Sequence, residues 1–580
     1  MVDVIMYPGI AMTDLARRAA DPRIADERPE PRTTQIFAPV LSRPGAVLAL
    51  LFFALSLLPS MLPRTYLFQG IVSGISMMTG YGIGVLCEWA WDFLDVPRPR
   101  GRARTAVTAV LVGAAGVFVA SGTWQHVGWQ NEVRATYGLE AITPVVLLPV
   151  LVIAIVVAAF LLAVARSLRK LFDATWRLLY RRLPRRLSLL LGGIAVLVLV
   201  NLVYNGVLVN SFFGVSNQVF AASDTGTIEG QRRPQSPLRS GGADSLVSWE
   251  SLGRQGRSFV STGPSVEDIN AFSGGGAAEP IRVYAGLRSA RSLQARAGLV
   301  LDELIRTDAF DREVLVIGTT TGTGYLDPVG VDPLEYVHNG DTAIVGVQYS
   351  YLPSWISLLA DQDTVRRTAR VVFETIHGHW STLPEDQRPE LYLYGQSLGS
   401  YGAESILTSV NIVNEPIDGA LLVGPPFISE LWRQLVADRQ DGTPAWRPVY
   451  EGGRTVRFTG EDDALDVPDG DWGPTRIAYL QHASDPVVFF SPDLILTPPA
   501  WLEDGQRGPG IAEDFVYVPL VTFWQMAFDL AGAANVPEGW GHMYSPEANG
   551  AAWAAVTRPD GWSDADTQRL RDVLADLAPA

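Results

Sequence analysis

The sequence predicts two modules: a multi-pass α-helical membrane domain, then an α/β domain with a mostly parallel sheet and helices on both faces. Three observations lead there. Apolar residues crowd between positions 45 and 210, strand-like and amphipathic stretches alternate from Pro280 onward, and charge divides along the same line. The first 44 of the 580 residues hold six Arg against six Asp and Glu. Residues 45–224 hold 14 Arg and Lys against seven acids, and the remainder holds 25 against 48. One part is apolar and basic, the other acidic and compatible with water. The basic residues are almost all Arg, with Lys170 the only lysine, and they are spread along loops, which argues against nucleic-acid binding. The single cysteine, Cys87, lies in an apolar run, so no intrachain disulfide or cysteine-based zinc site can form.

Residues 1–44 read as a cytoplasmic polar tail, with a short helix around Thr13–Ala20. The first apolar run begins near Gly45, too far from Met1 for a cleavable secretory signal. Crossing a bilayer core takes about 20 apolar residues as a helix. Five segments of the 45–210 region qualify: 45–63, 66–87, 105–123, 143–165 and 187–210. The first two are shorter or richer in Gly, and one re-entrant hairpin is the alternative for them. Gly70, Gly74, Gly80 and Gly84 repeat at helical spacing, which suits close helix packing. Trp89, Trp91, Trp124 and Trp129 stand near span ends, as interfacial anchors. Glu88, Asp92 and Asp95 read as solvated ends beside the Arg98–Arg104 cluster in preference to a proton or ion path.

Loop charges set the orientation. The first loop carries Arg64 and the third Arg134. The second carries Arg98, Arg100, Arg102 and Arg104, and the fourth is basic from Arg166 to Arg186. Basic loops stay in the cytoplasm. The N-terminus is therefore expected inside, and an odd number of spans puts the C-terminal domain outside the cell membrane.

Residues 211–279, rich in Gly, Ser, Pro and Arg from 223 on, read as a linker and loosely ordered connecting segment. The catalytic module is expected over 280–580. IRVYAG, EVLVIG, TAIVGVQYSYL, LYLYG, DGALLVG and RIAYLQHAS read as strands separated by helices. Runs such as VLVIG are apolar without alternation, as strands buried on both faces are. The stretch 427–473 shows no clear strand and reads as an insertion over the sheet's C-terminal edge.

Gly395-Gln396-Ser397-Leu398-Gly399 matches G-x-S-x-G between a strand and a helix. That context makes the motif informative, since a nucleophilic serine on a sharp strand-to-helix turn needs small residues two before and two after it. Such a serine needs a base, and the base an orienting acid, in the order Ser, acid, His. Only His482 and His542 follow Ser397. His542, in the Gly-flanked GWGHM, is assigned as base, His482 as a structural neighbour, and Asp485 as acid, with Asp462, Asp463 and Asp466 in reserve. The oxyanion hole should combine the backbone N–H of Leu398 with one from TTTGTGYLDP at 319–328, for which Thr320 is chosen. That loop lacks a P-loop ending and G-x-G-x-x-G spacing, so nucleotide binding is rejected. No cofactor and no metal are expected; His377 and His379, two apart on a helix, face different ways.

The strings LGRQGRSFV, TGTGYLDP, NGDTAIVGVQYSYLPSW, YGQSLGS and YLQHASDPVVFF, together with the bundle of spans, resemble the membrane-attached α/β-hydrolases called family nine, typical of high-GC Gram-positive bacteria. The resemblance covers nearly all but the first 40 residues. It implies an α/β-hydrolase fold and a serine-hydrolase site at Ser397, Asp485 and His542, and brings no settled substrate. The function expected is a serine esterase or lipase-like hydrolase acting on acyl esters of lipid or cell-envelope type, in contact with membrane lipids. An acyltransferase using the same acyl-enzyme is the alternative. A transporter or sensor with a silent outer domain is a third reading, and it would predict a broken triad.

Overall fold

Strands rich in Val, Ile, Leu and Tyr on both faces must be covered on both sides. Seven such strands form one sheet in the C-terminal half: β1 (Ile281–Ala285), β2 (Val314–Thr319), β3 (Thr342–Val347), β4 (Glu390–Gln396), β5 (Gly419–Val423), β6 (Val456–Thr459) and β7 (Arg476–Leu480). Their order is β1-β3-β2-β4-β5-β7-β6, and every neighbouring pair is parallel. The computed structural model describes residues 41–98, 101–408, 416–462 and 464–577; the helix expected around Thr13–Ala20, Arg100 and the reserve Asp463 lie outside them. Alternate residues of each strand feed two apolar layers. Ile317 and Leu393 pack with Phe373 and Trp380 on one side; Val316 and Leu421 pack with Leu334 and Trp553 on the other.

From β2 the chain steps to β3, then crosses back to β4 on the opposite side of β2. The carboxyl ends of β2 and β4 are thus neighbours at a switch point, where open parallel sheets place their sites. Two expectations need correction here. The stretch 427–473 does hold a strand, β6, paired with β7 at the sheet edge; its four residues, set among Gly and Asp, are too few to show a pattern. The segment 211–279 is not loosely ordered. It contains the helices Asn210–Ser223, Gly253–Ser261 and Val266–Ser273, and Leu252, Phe259, Val260 and Ile269 are buried in the sheet's core.

The N-terminal half is a helical bundle: α1 (Arg43–Ser56), α2 (Tyr66–Phe93), α3 (Gly101–Thr136), α4 (Leu147–Tyr180), α5 (Arg185–Asn201) and, after a π-helical stretch, α6 (Asn210–Ser223). Among the described residues three helices, not the five expected, are long and apolar enough to cross a membrane: α2, α3, and α4 with its leading turn from Pro144; α1 and α5 are apolar but run for only 14 and 17 residues as α-helix. The glycines of α2 let its neighbours approach. A Cβ on Gly70 would lie 2.6 Å from Ile153 of α4, and one on Gly84 2.5 Å from Gly45 Cα of α1. At the basic end, Arg98 pairs with Asp92 at 2.7 Å and Glu88 at 3.5 Å, in keeping with the solvated-end reading.

The other end of the bundle is built into the C-terminal core. Met61, Leu62, Val133 and Tyr137 belong to the same apolar cluster as the sheet. Arg64 Nε donates to Asp529 Oδ1 at 2.9 Å, with both side chains buried. The Met61 N–H donates to Asp529 Oδ2 (3.2 Å), and Gln525 Nε2 to the Leu58 carbonyl (3.0 Å). The helix Val521–Gly532 therefore bolts the loop between α1 and α2 to the sheet domain.

Candidate active site

β4 ends at Gln396 and the helix Leu398–Leu407 begins two residues later, which leaves Ser397 alone to make the turn. It does so at φ 54°, ψ −125°, a strained conformation for a residue with a Cβ. The flanking glycines are required by space. A Cβ on Gly395 would lie 2.4 Å from the Gly399 carbonyl, and one on Gly399 2.3 Å from the Thr319 oxygen. The Ser397 N–H donates to the Val423 carbonyl at 2.8 Å and ties the turn to the end of β5.

Leu398 opens the helix, where N–H groups lack intrahelical acceptors and the helix dipole favours negative charge. The close approach of Gly399 sets the loop after β2 directly against this turn. Thr320 in that loop is buried, and its hydroxyl donates to the Val347 carbonyl at 2.9 Å. The loop is closed by Thr321 N–H to Tyr325 O (2.9 Å) and by Asp327, which accepts from Val329 N–H and the Tyr325 hydroxyl, both at 3.1 Å. Burial pushes the Asp327 carboxyl up, against the pull of these hydrogen bonds.

Asp485 caps a short helix just after β7. Its Oδ1 accepts from Val487 N–H (2.8 Å), and its Oδ2 accepts from the Tyr544 hydroxyl (2.7 Å) and lies 2.6 Å from His542 Nδ1. Asp485 is fully buried, and burial beside it holds the Tyr544 phenol well above its ordinary value, so Tyr544 stays a donor. With Nδ1 on the carboxylate, the His542 Nε2 is buried and has no hydrogen-bond partner among the described residues. A Cβ on Gly424 would lie 2.7 Å from His542 Cε1, and Gly424 follows the Val423 that holds Ser397. The imidazole and the serine thus stand over the same strand end. The His542 loop is fixed by His542 N–H to Ala533 O (2.9 Å) and Gly541 N–H to Ser484 Oγ (3.1 Å).

His482 is a neighbour of this pair. Its Nδ1 lies 2.8 Å from the Gly541 carbonyl, its Nε2 2.7 Å from Glu461, and its ring stacks on Tyr544 at 4.2 Å. Burial pushes the Glu461 carboxyl up, but hydrogen bonds from His482 and Ser545 outweigh it and hold it below its ordinary value. Glu461, His482, Trp446 and Trp540 line a cavity of about 470 Å³ behind the His542 loop. The reserves Asp462 and Asp466 are exposed, and Asp462 pairs with Arg447. Sequence reasoning missed Tyr544, Glu461 and Tyr137 of the bundle, whose ring lies 4.9 Å from Trp540 in the His542 loop. None of the three stands in a motif, and only the fold brings them in.

A strained serine at a strand-to-helix turn over a parallel sheet, with a buried Asp–His pair at the neighbouring strand ends, defines the α/β-hydrolase class. Comparison with protein families goes one step further. A family model described as the alpha/beta-hydrolase family matches residues 281–570, and one described as that family's N-terminus matches residues 57–264. The chain belongs to this family, the ninth of the α/β-hydrolases, with which a hydrolase-like function goes. No curated protein and no solved structure matches it.

Proposed function

We propose that this chain is a membrane-anchored serine hydrolase that cleaves acyl esters of lipid or cell-envelope type through an acyl-enzyme on Ser397. The observation that carries the reading is His542: one ring nitrogen is held by Asp485 at 2.6 Å, the other is buried with no hydrogen-bond partner among the described residues, and the ring lies against Gly424, next to the Val423 that holds the Ser397 turn. That is the state a general base needs. Ser397 Oγ attacks the ester carbonyl while His542 Nε2 takes its proton, and Asp485 stabilises the imidazolium. Negative charge on the carbonyl oxygen is met by the backbone N–H of Leu398 and that of Thr320. The tetrahedral species collapses, the C–O bond to the alcohol breaks, and His542 returns the proton to the departing oxygen. Water, deprotonated by His542, then attacks the acyl-enzyme and releases the acid and free Ser397.

The orientation proposed is N-terminus inside and hydrolase outside. Two independent features support it. The Arg clusters lie around the junction of α2 with α3 and around that of α4 with α5. The hydrolase packs on the opposite ends, at Met61, Arg64 and Tyr137.

A fluorophosphonate probe should label the full chain, and Ser397→Ala should abolish labelling; a variant still labelled would overturn the nucleophile assignment. For orientation, Ala243→Cys, made in a Cys87→Ser background, should react with a membrane-impermeant thiol reagent on intact cells. Reaction only after lysis would reverse the topology.

A further inference from the structure

An acyl-enzyme on Ser397 needs an apolar place for its acyl chain. From Gly424, against which His542 lies, the chain turns through Pro425 and Pro426 to Phe427 and Ile428. Ile428 packs against the apolar cluster that includes Leu398 and Tyr401 of the helix that starts at the nucleophile. The Phe427 ring lies 4.9 Å from Phe490, Phe490 lies 5.7 Å from Phe523, and Phe523 lies 5.1 Å from Trp524. Four residues on from Trp524, on the same face of the helix Val521–Gly532, Phe528 meets Phe68 at the start of α2, centroid to centroid 6.3 Å. All six rings are half-buried.

That partial exposure separates them from rings that only close a core. Phe489 and Phe515, on the same side of the sheet, are 5% and 0% exposed. The strip has one end beside the serine turn and the other on α2, which is long and apolar enough to cross a membrane. Leu496, 74% exposed, flanks it where the Leu520 N–H donates to the Ile495 carbonyl (3.0 Å). Each methylene of an acyl chain that had to pass through water would cost free energy, and a continuous apolar strip avoids this.

We propose that the strip Phe427–Phe490–Phe523–Trp524–Phe528 holds the acyl chain of a bilayer lipid ester, which slides from the outer leaflet at the end of α2 to Ser397. The proposal rests on the serine-hydrolase reading and assigns these aromatic residues the selection of chain length. The test measures Ser397 labelling rates by ethyl and hexadecyl fluorophosphonates, with the full chain in phosphatidylcholine vesicles. Membrane partitioning of the long reagent is common to all variants, so the ratio of the two rates reads the strip alone. Phe490→Ala and Phe523→Ala should each slow the hexadecyl reagent about tenfold, what losing the burial of roughly two methylenes gives, and leave the ethyl reagent within about twofold. Phe490→Trp, which fills the strip without opening the core, should also slow the long reagent alone. Equal slowing of both reagents, or of neither, overturns the strip while Ser397 labelling keeps the hydrolase reading alive. A wild-type chain labelled by neither reagent overturns that reading and the strip with it.

Discussion

The two halves of the molecule solve burial in opposite ways. In the sheet domain the strands are closed on both faces, and even charge goes inside when paired: Arg282 and Glu335, both fully buried, meet at 2.8 Å. In the bundle, large apolar side chains stay outside. Val117 is 72% exposed, Phe160 65% and Leu197 70%. Large uncovered apolar patches mark surfaces that meet another apolar phase, and the proposed membrane setting would give these side chains one. The exception lies where the halves meet. There the bundle packs as the sheet domain does, with Met61 and Leu62 at 0% and 2% exposure and a buried Arg64–Asp529 pair. At that junction the bundle is part of the sheet domain's own core, and its Tyr137 backs the His542 loop through Trp540.

The sharpest way to break this comparison is to separate the halves. A chain of residues 224–580 alone would leave Met526, Ala533 and Val536, which share a cluster with Met61 and Leu62, facing water beside the His542 loop. We expect it to aggregate and to lose fluorophosphonate labelling altogether, read on the soluble fraction. A soluble, fully labelled fragment would make the bundle a mere tether. Smaller in effect is Asp529→Ala, which strands the Arg64 guanidinium in a buried site where, among the described residues, only Gln69 Oε1 at 3.1 Å meets it. Breaking a buried pair by removing one partner costs about 3–5 kcal/mol. The temperature at which membranes lose Ser397 labelling should fall accordingly, and Arg64→Leu combined with Asp529→Leu should restore much of it. A single variant as heat-resistant as the wild type would mean that the bolt contributes nothing.

The same division governs what the sequence revealed. The elbow was legible because its demands are local: a strand, two glycines that the backbone approach requires, and a helix start, all within a few residues. Asp485 and His542 were legible through chain order and through the turn chemistry around them, and the structure sets their side chains 2.6 Å apart. The catalytic roles remain for labelling to test. β6 was not legible, since four residues between Gly- and Asp-rich turns carry no period. The segment 223–279 misled for a related reason: its short helices bury a few residues each within a Gly- and Ser-rich composition. Contacts between the halves left no trace either. In the sequence Tyr137 falls in the loop between the spans 105–123 and 143–165, and only the folded chain puts its hydroxyl 3.1 Å from the Met61 carbonyl and its ring on Trp540.

The smallest effect is expected where the setting changes and the chemistry stays the same. Arg98 and Asp92 form an ion pair at 2.7 Å at the far end of the bundle, nominally a shorter contact than Arg64–Asp529 at 2.9 Å. Their side chains are 43% and 42% exposed, against 2% and 0% for the buried pair. Water and salt screen the exposed pair, Glu88 stands by at 3.5 Å as a second partner for Arg98, and neither group is stranded when the other is removed. Asp92→Asn should therefore cost no more than about 0.5 kcal/mol. Heat loss of Ser397 labelling in that variant should fall within error of the wild type, beside the large drop in Asp529→Ala. If the two variants lost stability equally, burial would not be what distinguishes the two ends of the bundle, and the proposed anchoring of the hydrolase on one of them would fail.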